Sequence, residues 1–324
     1  MLGGTGDQVP NIDAQADVSR LFNDLMPERA AELRALLDQI SYQIANDRPS
    51  LHIAASAPFG HGLVVYTDRT MRQVWLITYA AWKTLHEQSG FIVGFLMQGR
   101  PYDMTAPDVG GAGRTAAESI ARLTQALENV RNAKPDEHNW PPEVPIITDD
   151  LRNLIGDEDH AAFELACFAA GFILLHESFH ALERIAGHEY AGATEELASD
   201  RYAAEMLVSK MHEHALARNY NVKQLGEKRA IGAFLGLVII LESTELGLTE
   251  ISESHPDWTA RVRDVLPPIE ALNLDADGHF WVFATSVLLS RLRREKVDVG
   301  RIEYESAQDL FFKVLAHFDA LKRT

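Results

Sequence analysis

The chain has 324 residues, 46% of them hydrophobic, which is ample for a sizeable core. Thirty basic residues stand against 47 acidic ones, a formal net charge of −17. That average field repels polyanions and excludes nucleic acid as the main ligand, while a single cysteine, Cys167, excludes an intramolecular disulfide.

The opening MLGGTGDQVPNID lacks the basic start and apolar stretch of a secretory signal, and residues 1–18 read as a flexible N-terminus. From Pro27 to Ile44 the apolar positions Leu33, Leu36, Leu37, Ile40 and Ile44 recur at helical spacing. In SLHIAASAPFGHGLVVYTD, two short apolar runs flank Pro58-Phe59-Gly60 and predict a small β-hairpin. QVWLITYAAWKTLHEQ is helical in pattern. GRPYDMTAPDVGGAGR, residues 99–114, is a Gly/Pro-rich loop. Its GGAGRT piece has no Gly-Lys-Ser/Thr ending and no clear strand before it, so it is not read as a phosphate loop. A helix is expected from about Thr115 to Asn132. The Pro-rich connector at 134–147, built on KPDEHNWPPEVP, is the best candidate boundary.

Beyond the connector the pattern is nearly all helical. The apolar runs Leu165–Leu175 and Ala230–Leu241 are far shorter than the roughly 20 residues needed to cross a bilayer, and read as buried core helices. The expected fold class is mainly α (α+β). A helical portion at 148–324 carries the chemistry, and a smaller N-terminal α+β portion at 19–133 packs on it. With neither a signal nor a span, the expected location is the bacterial cytosol.

The chemistry concentrates in AAFELACFAAGFILLHESFHALERI, an apolar helix whose polar residues arrive together as HESFH. His176 and His180, four apart, share one helix face about 6 Å apart, so two imidazoles can converge on one ion. Glu177 sits near that face without sharing the coordination plane, and is placed to act as general base on water. This is the His-Glu-x-x-His arrangement of zinc peptidases. The bland alternative is two histidines making ordinary hydrogen bonds on a half-exposed helix. Burying the cluster in so apolar a helix without partners is costly, and a metal removes that cost.

A catalytic zinc needs a third protein ligand and an open position. The metzincin histidine is absent, because Glu183 and Ala186 stand where that pattern would place it. His188 is near, but it follows Gly187 and reads more simply as a turn residue. The stronger candidate is Glu196 in EELASDRYAAEML. Asp200 lies four residues on, on the same helix face, where it can accept the second ring N–H of His176. Glu195 is the neighbour that competes for the assignment, but only Glu196 has an aspartate at i+4. Cys167, nine residues before His176, turns to the opposite face and reads as core filler. In SHPDWTARVRDV, Pro256 restricts the backbone of His255 at the start of a helix. His255 is therefore either a donor to a developing oxyanion or an incidental helix-start residue.

HESFH, then E-L-A-S-D with Glu196 and Asp200, then H-P-x-x-x-x-R at His255, Pro256 and Arg261, is the order of gluzincin-type peptidases. The chain more closely resembles the bacteriophage-exclusion Lit peptidase family. The likeness extends to VWLITYAAW, NWPPEVP, the apolar helix before HESFH, and FWVFATSVLLSRL. It covers most of residues 20–320 and is thin before about 130. It departs from the family in the 99–114 loop and the acidic N-terminal half. The resemblance implies an intracellular zinc endopeptidase that cleaves elongation factor Tu when a phage peptide appears. It implies zinc on His176, His180 and Glu196, with Glu177 as base. Two rivals remain at this point: a non-catalytic scaffold with a structural metal, and a housekeeping zinc peptidase without a role in phage defence.

Overall fold

The structure, a computed structural model, describes residues 13–45, 53–103, 144–145, 154, 156–188, 192–243, 256–294 and 296–321. The expected helix at 115–132 and His255 lie outside the described residues, as does most of the connector.

Helix α1 (Ala14–Leu25) begins where the Asp13 carboxylate accepts from the Ala16 amide at 3.1 Å. Its buried positions Ala14, Val18, Phe22 and Leu25 form one stripe. A 3₁₀ turn started by Pro27 leads into α2 (Ala30–Leu37). Here the helical reading of 27–44 needs correction. Ile40 and Ile44 belong to strand β1 (Ile40–Ile44), not to a continued helix. In Ile-Ser-Tyr-Gln-Ile the apolar residues also alternate, and that two-residue period prevails because a partner strand lies alongside. The Gln15 side chain secures the new course, accepting from the Tyr42 amide at 2.8 Å.

The expected hairpin is present. Strands β2 (Ile53–Ser56) and β3 (Gly62–Tyr66) pair antiparallel around the Pro58–Gly60 turn, with Ile53 opposite Tyr66. Strand β3 lies between β2 and β1, and it runs parallel to β1 with Tyr42 opposite Val64. Helix α3 (Asp68–Met97) opens with a reciprocal cap between Thr67 and Thr70. Its Trp75 donates from Nε1 to the Pro145 carbonyl at 2.7 Å, and its apolar face packs on Val144 and Leu154. Strand β4 (Tyr102–Asp103) pairs with the distant β5 (Arg301–Ile302).

The remaining helices are α4 (Gly156–Ile185), α5 (Ala193–Val208), α6 (Met211–Arg218), α7 (Val222–Ser243), α8 (Trp258–Glu270), α9 (His279–Arg294) and α10 (Ala307–Leu321). The protein is mainly helical with a small sheet, as expected. Helix α4 is the centre, packed on α7, α5, α3 and the sheet. Among the described residues it alone is long and apolar enough to cross a bilayer, yet 78% of its most apolar window is buried inside the protein. It is a core helix. Its contact with α7 is close because Gly232 and Gly236 present bare backbone to Phe168 and Phe172. A Cβ at either glycine would fall 2.2 Å and 2.6 Å from the respective phenylalanine Cβ. Trp258 of α8 stacks on Phe318 of α10 with ring centroids 5.5 Å apart. One continuous core includes α1, the sheet, α3, α4, α5 and the helices from α7 to α10, so the N-terminal and helical portions share it, while Met211 and Ala215 of α6 pack in a separate cluster with Leu225.

Candidate metal centre

Helix α4 has two working faces. Ser178, Ala181 and Ile185 turn toward the sheet. Ser178 Oγ lies 2.6 Å from Tyr42 Oη, and Ala181 and Ile185 lie against Gly62. His176 and His180, on a neighbouring face, turn toward α5. Gly192 ends the connection at φ 79° and starts α5 as its N-cap. That turn brings two interleaved i, i+4 pairs, Glu195 with Ser199 and Glu196 with Asp200, against the histidine pair.

Each histidine has its own carboxylate on the outer ring nitrogen. Asp200 Oδ1 lies 3.0 Å from His176 Nδ1, and Glu195 Oε1 lies 2.6 Å from His180 Nδ1. Ser199 Oγ is also 3.4 Å from His180 Nδ1. With a carboxylate beside each Nδ1, a neutral imidazole at either position would carry its proton on Nδ1 and turn its Nε2 lone pair inward. The two Nε2 atoms are 3.1 Å apart. The Glu196 carboxylate sits astride them, with Oε2 3.5 Å from His176 Nε2 and Oε1 3.5 Å from His180 Nε2. His176 and Asp200 are buried, and Glu196 is 16% exposed.

His176, His180 and Glu196 form the group of potential ligands found among the described residues, with one donor atom from each within 4.8 Å of the others. Tetrahedral zinc with bonds near 2.1 Å has ligand–ligand edges of about 3.4 Å, close to the separations seen. The donor chemistry agrees. Acceptors converge on one point, Glu196 and Asp200 face the buried guanidinium of Arg261, and Glu195 pairs with the half-exposed Arg184 at 4.0 Å. With neutral imidazoles, these three carboxylates against two guanidinium groups leave a net negative charge beside the histidines, which a divalent cation offsets. The residues fit zinc.

In the chain without metal, the same crowding is met by protonation. Burial opposes charge on His176, but Asp200 and Glu196 outweigh it and hold its pKa up at about 9. Burial also opposes charge on Glu196, yet His176 and His180, and then Arg261, keep its carboxyl well below the usual carboxylate range.

The other residues singled out by sequence separate clearly. Glu177 is half-buried on α4, within electrostatic reach of Arg261. His188 stays outside the cluster, exposed, with Nδ1 2.9 Å from Glu183. Cys167 packs half-buried against the core, and burial pushes its thiol up to about 12. Pro256 precedes α8 rather than starting it. Asp257 is the N-cap and accepts from the Ala260 amide at 2.8 Å.

Two parts of the centre escaped sequence reasoning. Glu195 had been weighed only as a rival ligand, whereas it faces the outer nitrogen of His180. The signal was its own i+4 partner, Ser199. Arg261 carried no assigned role. Its Nε and Nη2 donate to Asp200 at 2.6 and 2.8 Å, and its Nη1 lies 3.1 Å from Glu196 Oε2.

The sequence profile of the Peptidase U49 family matches residues 64–284. The chain belongs to this family. The matched segment contains α4, α5 and Arg261 on α8. No curated protein and no solved structure matches the U49 peptidase described here.

Proposed function

We propose that this peptidase is a zinc-dependent endopeptidase of the bacterial cytosol. In this reading it is latent until triggered and directed at a host translation factor such as elongation factor Tu during phage infection. The observation that carries the zinc reading is the convergence of the His176 and His180 Nε2 atoms and the Glu196 carboxylate at tetrahedral spacing. Glu177 follows the first ligand directly, in a chain of a peptidase family.

His176, His180 and Glu196 hold the ion. Bound there, zinc is a Lewis acid that makes water a usable nucleophile near neutral pH and polarises a peptide carbonyl. Glu177 takes the proton of the attacking water and passes it to the amine that leaves, so its carboxylate is regenerated in each turnover. Asp200 and Glu195 keep the two imidazoles in the ligating tautomer. His255, three residues before α8 in sequence, is assigned the donor to the oxyanion that develops on the scissile carbonyl. A structural metal site has no use for Glu177, which favours catalysis over a scaffold role.

The substrate and trigger rest on other ground. Their support is the resemblance of HESFH, E-L-A-S-D, H-P-x-x-x-x-R and the flanking segments to the phage-exclusion Lit peptidases. The 99–114 loop and the N-terminal portion, where the chain departs from that family, are the proposed recognition elements. A peptidase open to any extended peptide would harm its own cell, which is the reason to propose latency and a phage-derived activating peptide.

The test is incubation of the purified chain with bacterial lysate, with and without chelator and phage peptide. The expected result is one discrete cleavage, of elongation factor Tu, abolished by chelator. Glu177→Gln should keep its zinc and fold but lose nearly all turnover. Full cleavage by that variant rules out Glu177 as base. Intact factor Tu beside another cleaved host protein overturns the substrate.

A further inference from the structure

Arg261 is fully buried, and a buried guanidinium persists only when paired. Among the described residues its ion pairs run to Asp200 and Glu196. These two carboxylates stand one turn apart on α5 and repel each other. One is a candidate ligand, and the other orients a second candidate ligand, His176. Three nitrogens of one rigid, planar group therefore span both. Glu196, 16% exposed, is also the ligand with the most room to swing away. Its histidine partners are 2% and 9% exposed.

We propose that Arg261 is a positioning residue for the metal centre. It fixes the spacing between Glu196 and Asp200, and so holds Glu196 and His176 in ligating arrangement before the cation arrives. The proposal rests on the metal reading given above. Arginine suits this task and lysine does not. A guanidinium offers a fixed hydrogen-bonding fork to one carboxylate and holds its third nitrogen in ion-pair contact with the second, whereas an ammonium is a single point on a flexible stem. The proposal also makes the affinity of the centre depend on how α8 docks, although α8 contributes no ligand to the cluster.

The experiment uses the full chain, stripped of metal. Zinc affinity is measured by competition with a chromophoric chelator, and the coordination sphere is read from the absorption spectrum after loading with cobalt(II). Arg261→Lys keeps a charge beside Asp200 but cannot bridge both carboxylates. It should bind zinc about 10- to 100-fold more weakly and show an altered cobalt spectrum. A second comparison stands if that variant does not fold. Asp200→Asn/Arg261→Met leaves Asp200 and Arg261 both uncharged, so neither strands the other as a buried charge. Because Arg261 also restrains Glu196, the double variant should bind several-fold more weakly than Asp200→Asn alone. Arg261→Lys with wild-type affinity and spectrum overturns the proposal, as does a double variant equal to Asp200→Asn. A wild-type chain that binds no zinc overturns the metal reading itself, and the proposal with it.

Discussion

The contact between α4 and α7 allows one substitution to be worked through against an internal control. A methyl group at Gly232 would sit 2.2 Å from Phe168 Cβ and 3.3 Å from its Cα, where ordinary contact begins near 3.4 Å. The obstructing atoms are at the root of the side chain, so no rotamer change clears them. The two helices must part by about 1.2 Å at that point, a strain in the range where overpacking costs roughly 1–3 kcal/mol. Alanine in place of a helical glycine returns about 1 kcal/mol, so Gly232→Ala should destabilise by up to about 2 kcal/mol. Gly226, in the same helix, is the control. Its added methyl meets only side-chain ends, Met211 Cε at 3.4 Å and Leu274 Cδ2 at 3.5 Å. Gly226→Ala should therefore stabilise by about 0.5–1 kcal/mol. Urea unfolding of both variants, read by circular dichroism, should separate them by about 2 kcal/mol on opposite sides of the wild type. If Gly232→Ala is as stable as Gly226→Ala, the close approach of α4 and α7 is not as described.

The metal reading predicts about one zinc per chain, lost on His176→Ala or Glu196→Ala in elemental analysis. Full zinc in either variant removes that residue from the ligand set. Asp200→Asn should weaken zinc binding by about 10- to 100-fold without abolishing it, and unchanged affinity in a chelator titration would refute its orienting role. Cys167, with its thiol pushed up to about 12 by burial and then by Glu164 and Asp24, should be only about one part in 10⁴ thiolate at pH 8. A colorimetric thiol reagent should label it slowly in the folded chain and quickly in denaturant, and fast labelling of the native protein would contradict its packing.

What could be read from sequence followed the range of the interactions concerned. HESFH stood out because four polar residues interrupt a long apolar helix, and the local i, i+4 rule then grouped His176 with His180. Glu196 and Asp200 were drawn in by the same rule on the next helix. The strand at 40–44 was misread because Ile40 and Ile44 satisfy a helical period as well as a strand period. The deciding factor, β3 alongside, lies some twenty residues on. Glu195 reads in sequence only as a rival to Glu196, because its i+4 partner is Ser199 rather than an aspartate, and its place beside His180 is set by the packing of α5 on α4. The grip of Arg261 on Asp200 had no local signature at all. The pair is separated by 61 residues, and only the three-dimensional path of α8 brings them together.

That separation also orders events during synthesis. His176, His180, Glu195, Glu196 and Asp200 are all polymerised within one stretch of 25 residues, on two helices that are neighbours in sequence. At roughly 5–20 residues per second, Arg261 follows Asp200 by about 3–12 s. For that interval the nascent chain carries the complete ligand set without its guanidinium. Three acidic side chains and a pair of imidazoles then exist without the guanidinium that pairs with Glu196 and Asp200. Premature capture of a cation there would leave it loosely held, and the arrival of α8 converts the local cluster into a fixed one. On the proposed metal reading, the distance in sequence between ligands and clamp thus makes tight metal retention a property of the finished chain.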